Sequence, residues 1–308
     1  LLLLFVLAFT FIKLYGQAEN NKLSLNDAIE IGLKQNPELL QSAENINAAE
    51  GRFWKGISLP QPELELSLEY TPVNTSLSNY SERTFAISQS FEFPTNYFLK
   101  GNKYSKEEEI ALEQFLLKKY ELVKQIKSAY YKVLADQSIV KYSEENLIIS
   151  DDFYKKAQIR YNVGEGTNIE ELTAKVQLSE AKNKLEIAKN NLNTSLAELN
   201  YVLGYGNQNK TSSLQLTDSL VYTEHNLSLE TVYQTAEETN PQIKEAELNN
   251  GIAGVEKTLA WSSLLPNFNL AYFKQSRDGD NGFYGASFGV SVPLWFIMDQ
   301  RGAIQEAS

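Results

Sequence analysis

From Thr95 to Tyr161 the sequence contains no proline and a single glycine, Gly101. Roughly 65 residues at 1.5 Å rise make a helix on the order of 100 Å long. A globular domain has no use for such a helix, whereas a fibre, a stalk or a tunnel does. Its second half carries a strict seven-residue repeat. Ile126, Val133, Val140, Leu147, Tyr154 and Tyr161 form a large seam, followed three places later by Ala129, Asp136, Ser143, Ser150 and Ala157. A return arm repeats the pattern with Leu178, Leu185, Leu192 and Leu199 beside Ala181, Ala188, Ser195 and Val202. Sustained heptads are the signature of packed, coiled helices, and a large seam beside a small one predicts close neighbours on more than one side. The arms reverse at Arg160-Tyr161-Asn162-Val163-Gly164-Glu165-Gly166-Thr167. There glycine can take positive φ, and Thr167 or Asn168 can cap a return helix with Glu170 and Glu171 in its first turn.

Ahead of this hairpin, Leu23 to Asn36 reads as a short helix. Asn36 can cap, and Pro37 can begin, a second helix that ends before Pro60. The period then changes to two. Leu64, Leu66, Leu68 and Tyr70 alternate with Glu63, Glu65, Ser67 and Glu69. After a polar loop, Phe85, Ile87, Phe91 and Phe93 alternate with Thr84, Ala86, Ser88, Ser90 and Glu92, and Pro94 closes the run. These are two strands of one β-hairpin (62–93), greasy on one side and wet on the other.

The same layout returns at one offset. Leu227-Ser228-Leu229 matches Leu23-Ser24-Leu25 (227 − 23 = 204), and Asn240-Pro241, Ala253 and Pro266 match Asn36-Pro37, Ala49 and Pro62 at the same spacing. A second β-hairpin (266–293) follows, with Phe268, Leu270, Tyr272, Tyr284, Ala286, Phe288, Val290 and Val292 on one face and a turn over Arg277 to Gly282. The expected organisation is a first repeat over 17–203, with its long helical hairpin at 95–203. An irregular belt over 204–226 contains the only histidine, His225, and a second repeat begins at 227 and runs to 308. Leu1 to Ile12 is an apolar run of about 12 residues, too short to span a bilayer but suited to a signal peptide over 1–16. The alternative is the tail of a membrane helix.

Composition narrows the chemistry. A net charge of −11 argues against nucleic acid or anionic lipid as a main partner. Cysteine is absent, and one His and one Met offer little to soft metals, so no metal site, cofactor or thiol nucleophile is expected. No nucleophile–base pair or phosphate loop stands out, which argues against an enzyme. Strands with one apolar and one small or polar face suit a transmembrane barrel. Four strands cannot close one, since the smallest have eight. The chain must then oligomerise. A soluble sandwich of two hairpins, a coiled-coil stalk and a periplasmic adaptor are the alternatives.

The unit Leu-Ser-Leu…Asn-Pro-Glu…Pro-x-Pro-Glu-Leu, its duplication and the tip Arg160-Tyr161-Asn162-Val163-Gly164 resemble the TolC family of outer-membrane efflux proteins. The strand start Pro60-Gln61-Pro62-Glu63-Leu64 resembles the CusC/CzcC-like heavy-metal branch. The resemblance implies a mainly α fold with β: long coiled-coil hairpins plus four transmembrane strands per protomer, assembled as a trimeric α/β-barrel tunnel. It implies a homotrimer in outer-membrane lipid, passively conducting what an inner-membrane pump delivers through a periplasmic adaptor. It makes Arg160, Tyr161, Asn162, Val163, Gly164, Thr167 and Glu170 the adaptor-docking tip, with Glu170 a candidate latch of the tunnel iris. Glu63, Glu65, Glu69 and Glu92 are expected to face the lumen and favour cations. With no Cys for lipid attachment, the barrel alone is expected to hold the protein in the membrane.

Overall fold

The computed structural model describes residues 22–206, 215–224 and 227–292, with 302, 304 and 305. The expected signal peptide, His225 and Pro293 lie outside them. The chain divides into two compact units that share one continuous helix: one comprises residues up to 37 and 119–225, the other 38–118 and 226–308.

The first unit contains β1 (Lys22–Leu23), α1 (Leu25–Gln35), the second half of α3 (Pro94–Asn162), α4 (Asn168–Val202) and β4 (Gln215–Leu216). At 69 residues, α3 is as long as its proline-free sequence requires, and α4 at 35 is about half of it. The heptad positions of α3 are the ones turned inward. Ile126, Ala129 and Val133 are buried, and Asp136, Val140, Ser143, Leu147, Ser150, Tyr154 and Ala157 are half-buried, while Tyr161 emerges at the end. On α4 the inward residues are Ala174, Leu178, Ala181, Leu185, Ala188, Ser195 and Leu199. Large and small seams thus lie together in the one stripe buried on each helix, not on two separate sides.

Toward the base of this hairpin the backbone packs tightly. A Cβ on Gly32 of α1 would meet Ile126 Cδ1 at 2.4 Å, so α1 lies directly on α3. Asn36 Nδ2 donates to Val202 O at 3.0 Å in a buried site. Gly204, which ends α4 at φ +84°, sits where a Cβ would lie 2.6 Å from Gln35 O and 3.0 Å from Asn36 Cα.

The belt is less irregular than its composition suggests, because β1 and β4 form a two-residue parallel ladder. Tyr130 of α3 anchors it from below. Its fully buried hydroxyl lies 2.6 Å from Asp218 Oδ2 and 2.8 Å from Leu23 O, and the charged carboxylate is the stronger acceptor. Burial, and then the hydrogen bond to Asp218, push the Tyr130 pKa up to about 12. Asp218 also accepts Leu25 N–H at 2.8 Å. Its pKa is lowered from 3.8, first by the Tyr130 hydroxyl and then by that amide. A carboxylate with a lowered folded pKa adds stability above its unfolded value and loses it as pH falls through the folded one. Acidification below about pH 4 should therefore release the belt, with loss of hydrogen-exchange protection at the Leu25 and Thr217 amides. Asp218→Ala should show that loss already at neutral pH; undiminished protection in the variant would contradict this role.

The second unit contains α2 (Pro37–Ile57), β2 (Glu63–Glu69), β3 (Glu82–Phe91), the first part of α3, α5 (Leu229–Thr239), α6 (Pro241–Ser262), β5 (Asn267–Arg277) and β6 (Asp280–Ser291). The paired helices α1/α2 and α5/α6 are 11/21 and 11/22 residues long. As the Asn-Pro motif predicts, Asn240 caps α6 and Pro241 opens it. Tyr104 of α3 fills the space beside Gly56 of α2. Lys103 Nζ bonds Glu256 Oε1 of α6 at 2.7 Å, which raises the lysine pKa.

The four strands form one antiparallel sheet in the order β2-β3-β5-β6. The β5–β6 connection is tighter than the sequence suggested. Asp278 and Gly279 alone make the turn at φ +49° and +88°, the two positive values that a two-residue Asp-Gly hairpin turn demands, and β6 already begins at Asp280.

Candidate functional site

Two features present chemistry to their surroundings: the hairpin tip and the faces of the sheet. At the tip, α3 closes with Gly164 at φ +84°. Gly164 N–H donates to Tyr161 O at 3.0 Å and Glu165 N–H to Arg160 O at 2.9 Å, the paired bonds of a Schellman stop. Arg160 Nη2 reaches forward to Glu165 O at 3.2 Å, so this cation binds the turn that follows its own helix end. Thr167 then caps α4. Its hydroxyl accepts Glu170 N–H at 3.2 Å, while Glu170 Oε2 accepts Thr167 N–H at 2.9 Å. This reciprocal capping box occupies the carboxylate expected as a latch, and any latch would have to use the same side chain. Arg160 and Glu170 come together with Phe153, Lys156, Ala157, Ile169 and Thr173 around a groove of about 480 Å³. Tyr161, Asn162, Val163 and Thr167 are exposed around the turn.

Beside the buried seam a second apolar row is exposed. Ile139, Tyr142, Ile149 and Phe153 project from α3, and Ile169, Leu172 and Val176 from α4. Their three-, four- and seven-residue spacing is again that of helix packing. On α3 each of these residues directly precedes a seam residue, and the stronger heptad one place away masks them in the sequence.

The sheet has two unlike faces. One is formed by Leu64, Leu66, Leu68, Phe85, Ile87, Phe91, Phe268, Leu270, Tyr272, Tyr284, Ala286, Phe288 and Val290. Many of these are open to the surroundings: Leu64 is 82% exposed and Phe288 65%. The other face carries Glu63, Glu65, Ser67 and Glu69 opposite Ser88, Ala86, Thr84 and Glu82, then Ala271, Ser287, Asn269 and Gly289. Two aromatic residues interrupt it, Phe273 and Phe283. The Phe273 ring covers Gly285, whose Cβ would meet it at 2.4 Å.

Three of the four expected acidic residues, Glu63, Glu65 and Glu69, share this small and polar face. Glu92 differs: it lies beyond β3, its carboxylate held by Lys100 Nζ at 2.6 and 2.7 Å. Its charge is balanced locally. Register adds Glu82 and Arg277, paired across β3 and β5 on the same face as Glu69. Glu82 also accepts Gln275 Nε2. Neither residue was legible before the pairing was known.

No helix among the described residues is long and apolar enough to cross a membrane. No cluster of three or more His, Cys, Asp or Glu with a metal-holding arrangement occurs among them.

Solved structures share this architecture. A membrane protein from Pseudomonas aeruginosa superposes with a TM-score of 0.75 at 15% identity, over 92% of this chain and 70% of that one. VceC, an outer membrane protein from Vibrio cholerae, gives 0.73 at 16%, over 92% and 71%. CusC, whose structures concern transmembrane channel formation, gives 0.72 at 15%, over 92% and 68%. With VceC and CusC so level, the fold does not single out the heavy-metal branch. No curated protein sequence matches the chain significantly. Residues 28–205 match the profile of the family described as outer membrane efflux protein. The match covers more than half of the sequence, and the chain belongs to the outer membrane efflux protein family.

Proposed function

We propose that this protein is the outer-membrane exit duct of a tripartite efflux system, passively conducting what an inner-membrane pump delivers through a periplasmic adaptor. The single observation that carries the reading is the sheet. Its four strands end in two open edges, β2 and β6, and its apolar face is uncovered. Unpaired strand edges are not tolerated in lipid, and four strands are too few for a barrel. Pairing β6 of one copy with β2 of the next is a heterologous contact that closes into a ring. Three copies, as is typical of the family, make twelve strands (3 × 4). The apolar face then meets lipid, and the face with Glu63, Glu65 and Glu69 lines the lumen. An adaptor or a coiled-coil stalk would have no use for such a sheet. Family membership argues for a channel and not a catalyst.

Membrane fractionation of cells producing the full chain tests the reading: the protein should sediment with the outer membrane as a trimer. Recovery as a soluble periplasmic protein would overturn it.

Two expectations concern function directly. Gly164→Val should leave trimer assembly intact but abolish export. A Cβ there meets nothing within 4 Å, so the cost is only the left-handed backbone, roughly 1–2 kcal/mol, confined to the adaptor-docking turn. Normal export would count against a docking role for the tip. The lumenal carboxylates should bias conduction toward cations. Replacing Glu63, Glu65 and Glu69 together with Gln should move the single-channel reversal potential in a salt gradient toward zero. Glu92→Gln alone should move it less, because it removes one carboxylate and not three, and an unchanged potential in the triple variant would reject the bias.

A further inference from the structure

The apolar face of the sheet carries two cations among its described strand residues, Arg83 and Lys274, and both lie at the same end. Lys274 occupies the row Leu66–Phe85–Lys274–Tyr284, and Arg83 the next row, Leu68–Arg83–Ser276. Across an antiparallel pair such diagonal neighbours lie about 7–8 Å apart, within reach of long side chains. No acidic residue stands in either row, and among the described residues neither cation is in an ion pair. Glu82, the carboxylate next to Arg83 along β3, belongs to the opposite face and accepts a hydrogen bond from Gln275.

Arg83 is held in place. Its Nη1 donates to Tyr80 Oη at 3.2 Å, and its guanidinium carbon lies 5.5 Å from the Phe85 ring and 5.8 Å from the Tyr80 ring. These contacts leave donors of the guanidinium fork for a further acceptor. Lys274 is exposed beside them.

Their end of the sheet is the one away from the helices. Helix α3 begins at Pro94, just after β3, and α6 ends at Ser262, just before β5. Both attach at the Phe91–Phe268 end, so the 70–81 connection and the Asp278-Gly279 turn lie at the other. Between the two ends, Phe91 to Phe85 spans six residues, about 20 Å along the strand, with an outer face that is apolar but for Gln89. The two cations therefore top an apolar band, where a charge on a barrel's outer wall costs little and can reach headgroup phosphate.

We propose that Arg83 and Lys274, positioned with Tyr80, bind the phosphates of an outer-leaflet glycolipid of the lipid A type. This rests on the reading of the sheet as an outer-membrane barrel wall, which makes the loop end extracellular. Two neighbouring cations, one of them held by Tyr80 and Phe85, on an otherwise uncharged face match a bisphosphorylated headgroup better than a singly charged phospholipid.

The test compares the thermal unfolding midpoint of the full protein in neutral detergent with added lipid A, with lipid A stripped of phosphate, or with phosphatidylglycerol. Bisphosphorylated lipid A should raise the wild-type midpoint by several degrees and the other two should not. Arg83→Gln/Lys274→Gln should lose most of that rise, whereas Arg83→Lys/Lys274→Arg should keep it. No rise in the wild type, an equal rise in the Gln variant, or an equal rise with phosphatidylglycerol would overturn the proposal. Wild-type fractionation separates the two failures. Protein found in the outer membrane without a lipid A response sinks this inference alone, and protein absent from that membrane sinks the barrel reading beneath it.

Discussion

Gly204→Ala should unfold the base of the long hairpin far more readily than its small size suggests. Two costs coincide at this position. An L residue at φ +84° is disfavoured by roughly 1–2 kcal/mol. The added Cβ would also lie 2.6 Å from Gln35 O, 2.8 Å from Gln35 C and 3.0 Å from Asn36 Cα. Those are backbone atoms, which cannot swing aside as a side chain would. Relief requires the end of α1 to move from the end of α4, and that motion strains the buried bond from Asn36 Nδ2 to Val202 O. Overpacking of this kind typically adds about 1–3 kcal/mol. Gly206→Ala is the matched control, since Gly206 also has positive φ (+57°) but nothing within 4 Å of its Cβ. The urea midpoint followed by far-UV ellipticity should fall clearly more for Gly204→Ala than for Gly206→Ala. Equal losses would mean that the close approach of α1 and α4 does not matter.

Ile87→Arg should block membrane assembly, whereas Ser88→Arg, one residue along the same strand, should not. Ile87 sits in the middle of β3 on the apolar face, between Leu64 and Tyr272. An arginine facing lipid at mid-depth costs roughly 2–4 kcal/mol, once in every copy of the ring. Ser88 lies on the other face, directly opposite Glu63. A guanidinium there stays in water and gains a carboxylate across the strands. The amount of trimer extracted from outer membranes should drop severalfold for Ile87→Arg and remain near wild type for Ser88→Arg. A conserved yield for both, or a matched loss, would contradict the assignment of faces.

How much of this could be read from the residues alone depended on periodicity. Heptads and strand alternation repeat over many positions, so Leu178, Leu185 and Leu199 announced the buried stripe of α4, and Phe268, Leu270 and Tyr272 announced one face of β5. Proline and asparagine gave boundaries for a local reason: Pro241 lacks only an N–H that the first helical turn does not use. The β1–β4 ladder was invisible, because two residues have no period and the Asp218–Tyr130 bond that holds it joins positions 88 apart in sequence. Arg277 and Glu82 escaped for a similar reason. Which face an end-of-strand residue takes depends on register and on the irregularity between Gln275 and Arg277. At the tip, the turn was legible from Gly164, but the reciprocal bonds of Thr167 and Glu170 gave the carboxylate a structural duty beside the one the family resemblance implies.

The most direct test of the account is period-two labelling of β6 in intact outer membranes, made simple because the sequence contains no cysteine. Single cysteines would replace, in turn, Tyr284, Ala286, Ser287, Phe288, Gly289 and Val290, leaving out Gly285 because the Phe273 ring covers it. Positions 287 and 289 should react with a water-soluble maleimide. Probes attached at 284, 286, 288 and 290 should instead be quenched by brominated lipid. Uniform aqueous reactivity along the whole strand would contradict a barrel wall, and with it the reading of this protein as an outer-membrane duct.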